Sequence, residues 1–368
     1  MRDTTEKLLS LAAIKVGGNN PWDITVHDPR FYHRVLSQGS LGLGESYMDG
    51  WWDCDALDEF FVRILRSHLQ DKVRKNRTLI QDILFARLFN LQSRQRAFDI
   101  GQKHYNLGND LFENMLDSRM VYSCGYWKNT NNLDEAQINK MELICQKLLL
   151  KPGMRLLDIG CGWGSFVNYA AEKHGVNGVG ITVSSEQVEP GRRFCANLPV
   201  EIRLQDYRDV NEKFDRVISV GMFEHVGYKN YRTYMETVRR CLYDDGFFLL
   251  HTIGGNKSVT SVDPWINKYI FPNGMLPSIS QIGKAIEGLF VMEDWHNFSA
   301  DYDKTLMAWV RNLEKNWDNL KQKYDERFHR MWKYYLLSCA GAFRARGNQL
   351  WQVVLSPQGI VGGYKSIR

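Results

Sequence analysis

The run of residues 156–165, LLDIGCGWGS, constrains the fold more than any other part of this chain. A short apolar stretch leads into an acidic residue and three alternate glycines, namely Asp158, Gly160, Gly162 and Gly164. Glycine lets the backbone turn sharply and approach a ligand closely, and the start of a following helix presents unpaired N–H groups. The pattern predicts a strand, a tight turn and a helix over residues 166–173. The turn either binds a ligand or is a simple strand-to-helix connection.

The spacing of the glycines narrows the class of ligand. A dinucleotide-binding turn has the pattern Gly-x-Gly-x-x-Gly, whereas this chain has Gly-x-Gly-x-Gly after Asp-Ile. That arrangement resembles motif I of the S-adenosylmethionine (SAM) methyltransferases. The resemblance implies a class I, Rossmann-like α/β fold with a seven-stranded, mostly parallel sheet, and SAM as cofactor.

Strand and helix signals alternate from about residue 101, as expected for an α/β domain. The predicted strands are residues 155–159, 179–182, 201–204, 214–220, 247–252 and 350–355. Helices between them would provide the right-handed crossovers of a parallel sheet. A turn-rich insertion is predicted over residues 264–283, and one or two long helices over 302–346.

Three regions divide the chain. Residues 1–75 are predicted to form a small, mainly helical N-terminal domain, punctuated by turns. Residues 76–100 are predicted to be a basic linker. Residues 101–368 are predicted to form the catalytic domain.

The composition favours a cytoplasmic protein. The seven cysteines include no Cys-x-x-Cys pair, which argues against a disulfide framework or a structural zinc site. We therefore predict no metal. The N-terminus lacks the pattern of a signal peptide, and no apolar run reaches the roughly 18 residues of a membrane span.

The net charge of +5 is unevenly distributed. Residues 61–104 hold ten Lys and Arg against three Asp, with apolar residues near helical spacing between them. Such a segment can dock on an anionic membrane surface, although a solvated helix face over a core stripe has the same pattern. Nucleic acid is a weaker alternative, because no recognition motif accompanies the charge.

Ligands of open α/β sheets lie beyond the carboxyl ends of the strands. No acidic residue ends the second strand, so Thr182 and Gln187 are the candidates for the ribose and the methionine end of the cofactor. After the third strand, Asp206 could accept a hydrogen bond from an adenine amino group, and the ring of Tyr207 could stack on the base.

Two titratable residues follow the next two strands. Glu224 and His251 should therefore project from neighbouring strand ends, over the reactive end of the cofactor. Taken singly, each is more often structural, as a carboxylate at a helix N-terminus and as a core histidine, and it is their convergence beside a cofactor motif that favours a functional role.

Several further segments together resemble the cyclopropane-fatty-acyl-phospholipid synthases. They are residues 41–52, 101–110, 120–124, 221–227, 294–298, 301–302, 305–309 and 339–344. The related mycolic-acid cyclopropane synthases share the catalytic half but lack the N-terminal module, so the resemblance points to the phospholipid-acting branch.

The resemblance implies that a methylene group from SAM is added to a cis double bond of an acyl chain. Attack on the methyl group leaves a carbocation, and loss of a proton from that methyl group closes the cyclopropane ring. The base must be close and water must be excluded. In the family that base is a bound bicarbonate.

The resemblance also implies roles for individual residues. The expected bicarbonate ligands are Cys124, Glu224, His251, Tyr302 and the backbone of Ile253. Tyr122 and Ser123 are expected to bind the cofactor. Cys339 matches the family's active-site cysteine. It either takes part in the chemistry or only shapes the acyl pocket, because its small neighbours are typical of a packed helix.

Further expectations concern partners and location. We expect a homodimer, bound peripherally to the inner face of an anionic cell membrane, with unsaturated phospholipid as substrate. Two other functions stay open: a SAM-dependent N- or O-methyltransferase acting on a small polar acceptor, and a lipid-binding module without activity.

Overall fold

A computed structural model describes residues 2–68 and 108–368 of the chain. The predicted linker, residues 76–100, and most of the basic segment 61–104 lie outside the described residues. The described part divides into two units. The helical unit comprises residues 2–68, 260–272 and 302–348, and the α/β unit comprises residues 108–259, 273–301 and 349–368.

Helices dominate the helical unit, as predicted for the N-terminal region. Its elements are α1 (Arg2–Ser10), β1 (Thr25–Val26), α2 (Arg30–Gln38), α3 (Ser40–Met48), β2 (Trp52–Asp53), α4 (Leu57–Arg66), α10 (Pro264–Tyr269), α12 (Ala300–Leu320) and α13 (Glu326–Arg344). The two short strands pair antiparallel, with Val26 opposite Trp52.

Aromatic packing and one buried carboxylate hold this unit together. The ring of Trp52 lies 5.9 Å from Phe31 and 5.3 Å from Phe60, and all three side chains are fully buried. Glu45 accepts hydrogen bonds from Lys268 at 2.6 Å and from Arg34 at 2.5 Å. Burial opposes ionisation of Glu45, but these hydrogen bonds lower its pKa to about 2. The carboxylate therefore ties α2 to α10.

The α/β unit alternates helices with strands. Its elements are α5 (Asn109–Met115), α6 (Leu133–Lys147), β3 (Arg155–Ile159), α7 (Ser165–His174), β4 (Asn177–Thr182), α8 (Ser185–Phe194), β5 (Val200–Leu204), β6 (Phe214–Val220), α9 (Tyr231–Cys241), β7 (Leu242–Gly255), α11 (Ile279–Ile286), β8 (Val291–Asn297) and β9 (Asn348–Ser356). Single turns of 3₁₀ helix follow β5 at Tyr207–Asp209 and β6 at Phe223–His225.

Within the described residues, seven strands of this unit form one sheet in the order β5-β4-β3-β6-β7-β9-β8. The five strands β3 to β7 pair in parallel, and β8 pairs antiparallel with β9. The chain runs outward from β3 to β5 and returns on the other side of β3 at β6. This reversal of strand order places a ligand crevice at the carboxyl ends of β3 and β6.

The fold class predicted from the sequence is confirmed, and the predicted strands recur with small shifts at their ends. Strand β7 is longer than expected, since it runs from Leu242 to Gly255. Strand β8 was not predicted. The insertion at residues 264–283 contains α10 and the first residues of α11, and the segment after Ala300 forms two long helices, as expected.

The division by contacts differs from the predicted domain boundaries. Residues 260–272 and 302–348 group with the N-terminal helices, whereas the sequence placed them in the catalytic domain. In the described part of the chain, no helix is long and apolar enough to cross a membrane.

Candidate active site

The glycine-rich turn after β3 adopts backbone conformations that favour glycine. Gly160, Gly162 and Gly164 have φ angles of 84°, 58° and 83°. A Cβ at Gly160 would lie 2.7 Å from the side chain of Met222, whereas a Cβ at Gly162 would meet open space. Gly164 is the N-cap of α7 and packs against Cys195. Gly160 and Gly162 border a cavity, whereas Gly164 lies where α7 begins.

The cavity beside this turn brings most of the predicted cofactor residues together. Those that line it are Tyr122, Ser123, Asp158, Gly160, Gly162, Thr182, Gln187, Asp206 and Tyr207. Gly164 does not line it. Apart from residues 120–123 before α6 and three residues on α6, the lining comes mostly from the ends of β3, β4, β5 and β6 and the segments after them, which is the edge of the sheet that the strand order selects.

Hydrogen bonds within two pairs of side chains orient polar groups of the cavity wall. The hydroxyl of Thr182 donates a hydrogen bond to Oε1 of Gln187 at 2.8 Å, which leaves the amide NH₂ of Gln187 available as a donor. Asp206 is almost fully buried and accepts hydrogen bonds from Nε and Nη2 of Arg208, both at 2.8 Å. Arg208 also lines the cavity and was not predicted from the sequence.

A buried lysine that the sequence analysis missed also belongs to the cavity wall. Lys140 lines the cavity, is 2% exposed and donates a hydrogen bond to Oγ of Ser123 at 2.8 Å. Burial lowers its pKa to about 8. Burial likewise raises the pKa of Asp158 to about 7, while the charge of Lys140 opposes that rise. The sequence held one indication that Lys140 is buried: Gln137, Lys140 and Ile144 repeat at helical spacing, and all three lie on the buried side of α6.

Glu224 and His251 come from neighbouring strands, as predicted. Val220, at the end of β6, pairs with His251 of β7, and Glu224 follows in the 3₁₀ turn. Oε1 of Glu224 accepts a hydrogen bond from the backbone N–H of Ile253 at 2.6 Å. Its other oxygen, Oε2, is buried and has no hydrogen-bond partner among the described residues. Burial raises the pKa of Glu224 to about 7.

His251 is 1% exposed and has one open ring nitrogen. Its Nδ1 lies 3.3 Å from Nε2 of Gln352, which can donate to it. Its Nε2 is buried without a partner in the described parts of the chain. Burial, followed by the charges of Lys140 and Lys147, lowers the pKa of His251 well below its usual value. The imidazole is therefore neutral near pH 7 and, with Nδ1 accepting, carries its proton on Nε2.

The remaining predicted residues have the following places. Cys124 is fully buried, and its thiol donates to the carbonyl of Gly125 at 3.1 Å. Tyr302 and Cys339 belong to the helical unit. The ring of Tyr302 stacks on Phe343 with centroids 4.5 Å apart. Burial raises the pKa of the Cys339 thiol to about 12, so the thiol is protonated near neutral pH.

The donor set fits the two expected small molecules. A buried carboxyl oxygen and a buried imidazole nitrogen without partners suit a ligand that both donates and accepts hydrogen bonds, as bicarbonate does. The glycine-lined cavity offers a carboxyl group, an ammonium group and an amide to a polar nucleoside such as SAM.

Comparisons with known proteins agree with this geometry. The profile of the mycolic acid cyclopropane synthetase family matches residues 92–353. The cyclopropane-fatty-acyl-phospholipid synthase of Escherichia coli (strain K12) is 57% identical over 362 residues, which cover 98% of this chain and 94% of that protein. The crystal structure of mycolic acid cyclopropane synthase CmaA1 complexed with SAH and CTAB matches with a TM-score of 0.66 and 33% identity, over 70% of this chain and 98% of that one.

A more distant structure shares the fold alone: coclaurine N-methyltransferase matches with a TM-score of 0.69 at 22% identity, over 85% of this chain and 98% of that one. Fold, cavity and comparisons together define a class I SAM-dependent methyltransferase. Within that class, the chain belongs to the cyclopropane-fatty-acyl-phospholipid synthase family.

Proposed function

We propose that this enzyme transfers a methylene group from SAM to the cis double bond of unsaturated acyl chains in membrane phospholipids, with bound bicarbonate as the base. The similarity to the Escherichia coli synthase over nearly the full length of both chains supports the reaction and the substrate. One local observation supports the base: Oε2 of Glu224, in the turn after β6, and Nε2 of His251, in the neighbouring strand β7, are both buried without partners in the described residues.

A neutral imidazole and a carboxyl group that is only partly ionised near pH 7 let the site accept an anion. A fully charged Glu224 carboxylate would repel bicarbonate, but a carboxyl group with a pKa of about 7 can share a proton with it. The Nε2–H of His251 donates a second hydrogen bond, and the backbone N–H of Ile253 holds Glu224 in place. When bound, bicarbonate supplies a weak base that accepts the proton released on ring closure.

Three further residues have supporting roles in the proposal. Cys124 is a further bicarbonate ligand within the α/β unit, and for Tyr302, in the helical unit, the proposed ligand role rests on the family resemblance alone. Cys339 shapes the acyl pocket rather than attacking the substrate, because a thiol with a pKa of about 12 provides almost no thiolate at neutral pH.

The proposed substrate determines where the enzyme works. We place it in the cytoplasm, peripherally bound to the inner face of the cell membrane, and acting as a homodimer. Attraction of the basic segment 61–104 to anionic lipid supports the membrane contact.

Turnover of SAM on different acceptors tests the proposal against an N- or O-methyltransferase. We expect turnover with liposomes of unsaturated phospholipid, none with liposomes of fully saturated phospholipid, and a loss of rate when bicarbonate is depleted. Turnover with soluble amines but not with unsaturated liposomes would overturn the proposed substrate. An undiminished rate without bicarbonate would overturn the proposed base. A lipid-binding module without activity would bind liposomes but leave SAM unchanged.

A further inference from the structure

Lys140 is a buried cation that the proposed chemistry does not use. It lies within α6, is 2% exposed and lines the cavity. Its ammonium group has three hydrogen-bond donors, and in the described part of the chain its hydrogen bond goes to a neutral acceptor, Oγ of Ser123. No carboxylate of the described residues forms a direct ion pair with it. A buried charge in this state is costly unless a ligand pairs with it.

Neither of the two carboxyl groups near Lys140 pairs with it directly, so its ammonium group can pair with an anionic group of a ligand. The carboxylate of Asp117 is occupied by the backbone N–H groups of Arg119 at 3.0 Å and Val121 at 2.9 Å. Asp158 lines the same cavity as Lys140, and the two interact through their charges without an ion-pair contact. The cavity lining therefore includes one cation and one carboxyl group that interact through their charges without direct contact, so each can take a different group of the same ligand.

We propose that Lys140 pairs with the α-carboxylate of SAM while Asp158 accepts a hydrogen bond from its α-ammonium group, so that the two residues together recognise the amino-acid end of the cofactor. This inference deepens the proposed function in that it takes SAM as the ligand, but it is independent of the lipid and of the base. Ser123 orients the lysine through the hydrogen bond at 2.8 Å.

The arrangement has a consequence for ligand choice. A nucleoside that lacks the amino-acid group leaves the buried ammonium unpaired, so it should gain nothing from Lys140. Removing one partner of a buried, hydrogen-bonded charge pair costs roughly 2–5 kcal/mol, which corresponds to a loss in affinity of at least about 30-fold.

Isothermal titration calorimetry with two ligands tests the proposal. S-adenosylhomocysteine carries the amino-acid group, and 5′-methylthioadenosine keeps the adenosine and the thioether but lacks it. We expect Lys140→Met to weaken binding of the former by at least about 30-fold and of the latter by less than about threefold. Lys147→Met is the matched control: Lys147 is buried on the same helix with a pKa also near 8, but it pairs with Asp294 at 3.4 Å and does not line the cavity.

The control variant should bind S-adenosylhomocysteine within about threefold of the unsubstituted protein. Unchanged affinity of Lys140→Met for S-adenosylhomocysteine would overturn the proposal, and so would an equal loss for both ligands. If Lys140→Met fails to fold, the unsubstituted protein decides: S-adenosylhomocysteine without its carboxylate should bind at least about 30-fold more weakly, and equal binding overturns the proposal. Because these are binding measurements, they stand even if no lipid product forms.

Discussion

Glu224 has two oxygens in different environments. Oε1 is held by the N–H of Ile253 at 2.6 Å, whereas Oε2 is buried without a partner in the described ranges. The hydrogen bond to Oε1 fixes the orientation of the side chain, and the unpartnered Oε2 can bind a ligand. In the proposed mechanism Glu224 holds the base and does not bind the cofactor, so substitution of Glu224 should separate the two functions.

Glu224→Gln should remove most of the activity while SAM affinity stays nearly intact. The amide cannot share a proton with bicarbonate, but the glycine turn and Asp158 are unchanged. Initial rates on unsaturated liposomes and calorimetric SAM binding measure the two effects. Glu236→Gln, at an exposed carboxylate paired with Arg232, is the control and should leave both unchanged. Wild-type turnover of Glu224→Gln in bicarbonate-depleted buffer would exclude the bicarbonate mechanism.

Gly162→Val should abolish SAM binding. The φ angle of 58° is one that a β-branched residue adopts only under strain, and the new side chain would enter the cavity. Gly153→Val separates these causes, because Gly153 has a φ of 83° and open space around it but does not line the cavity. Both variants should lose stability in thermal denaturation, and only Gly162→Val should lose SAM affinity. Unchanged affinity in folded Gly162→Val would place the cofactor elsewhere.

At the scale of elements, a cluster of three charged residues joins α6 and β8 to Arg368. Asp294 of β8 lies 3.4 Å from Nζ of Lys147 and accepts hydrogen bonds from Nη1 and Nη2 of Arg368, each at 2.6 Å. Burial opposes ionisation of Asp294, but the hydrogen bonds from Arg368 and the charge of Lys147 lower its pKa. The cluster is consequently ionised near neutral pH.

Asp294→Asn should destabilise the protein by about 3–5 kcal/mol, because it leaves the buried ammonium group of Lys147 without a counter-charge. Since pairing lowers the folded-state pKa, this stabilisation is present near neutral pH and is lost as the pH falls below the ordinary Asp value of 3.8. Urea denaturation at pH 7 and at pH 3 measures both effects. Asp318→Asn, at an exposed carboxylate on α12, should leave the stability unchanged. An equally stable Asp294→Asn would mean that the cluster contributes nothing.

The elements also show what the sequence could and could not predict. Strands β3 and β6 were predicted to the residue, because buried apolar runs end at glycines. Strand β8 was missed because Val291–Asn297 mixes exposed apolar residues with a buried Asp294 and lacks alternation. The placement of Glu224 and His251 on neighbouring strands could be predicted, since β6 and β7 are parallel neighbours in the sheet. Lys140 and Arg208 were missed, because the burial of Lys140 against Ser123 and the hydrogen bonds of Arg208 to Asp206 become visible only in three dimensions.

At the scale of the whole molecule, the proposed substrate has its double bond inside a bilayer, where the enzyme would have to reach it. The basic segment 61–104 supports electrostatic docking, which is worth about 1 kcal/mol per basic residue near anionic lipid. The attraction should weaken with salt, since the Debye length falls from about 10 Å at 0.1 M to about 3 Å at 1 M.

Replacing Arg74, Lys75 and Arg77 by Ser should weaken binding to anionic liposomes by about 100-fold at low salt and spare activity on detergent-dispersed lipid. These residues lie outside the described ranges, so the prediction rests on their charge. The control replaces Lys173, Lys315 and Lys321, three exposed lysines, by Ser. Liposome sedimentation measures both. Binding indifferent to salt and to the basic triplet would exclude electrostatic docking and direct attention to α12 and α13.

The most direct measurement follows the lipid itself. Liposomes of unsaturated phospholipid are incubated with the enzyme, SAM and bicarbonate, and the released fatty acids are separated by gas chromatography with mass detection. We predict acyl chains that have gained one CH₂ group as a cyclopropane ring in place of the double bond, and far fewer of them with Glu224→Gln. Unchanged acyl chains in the presence of SAM-competent enzyme, or a methyl group found on a headgroup instead, would contradict the account.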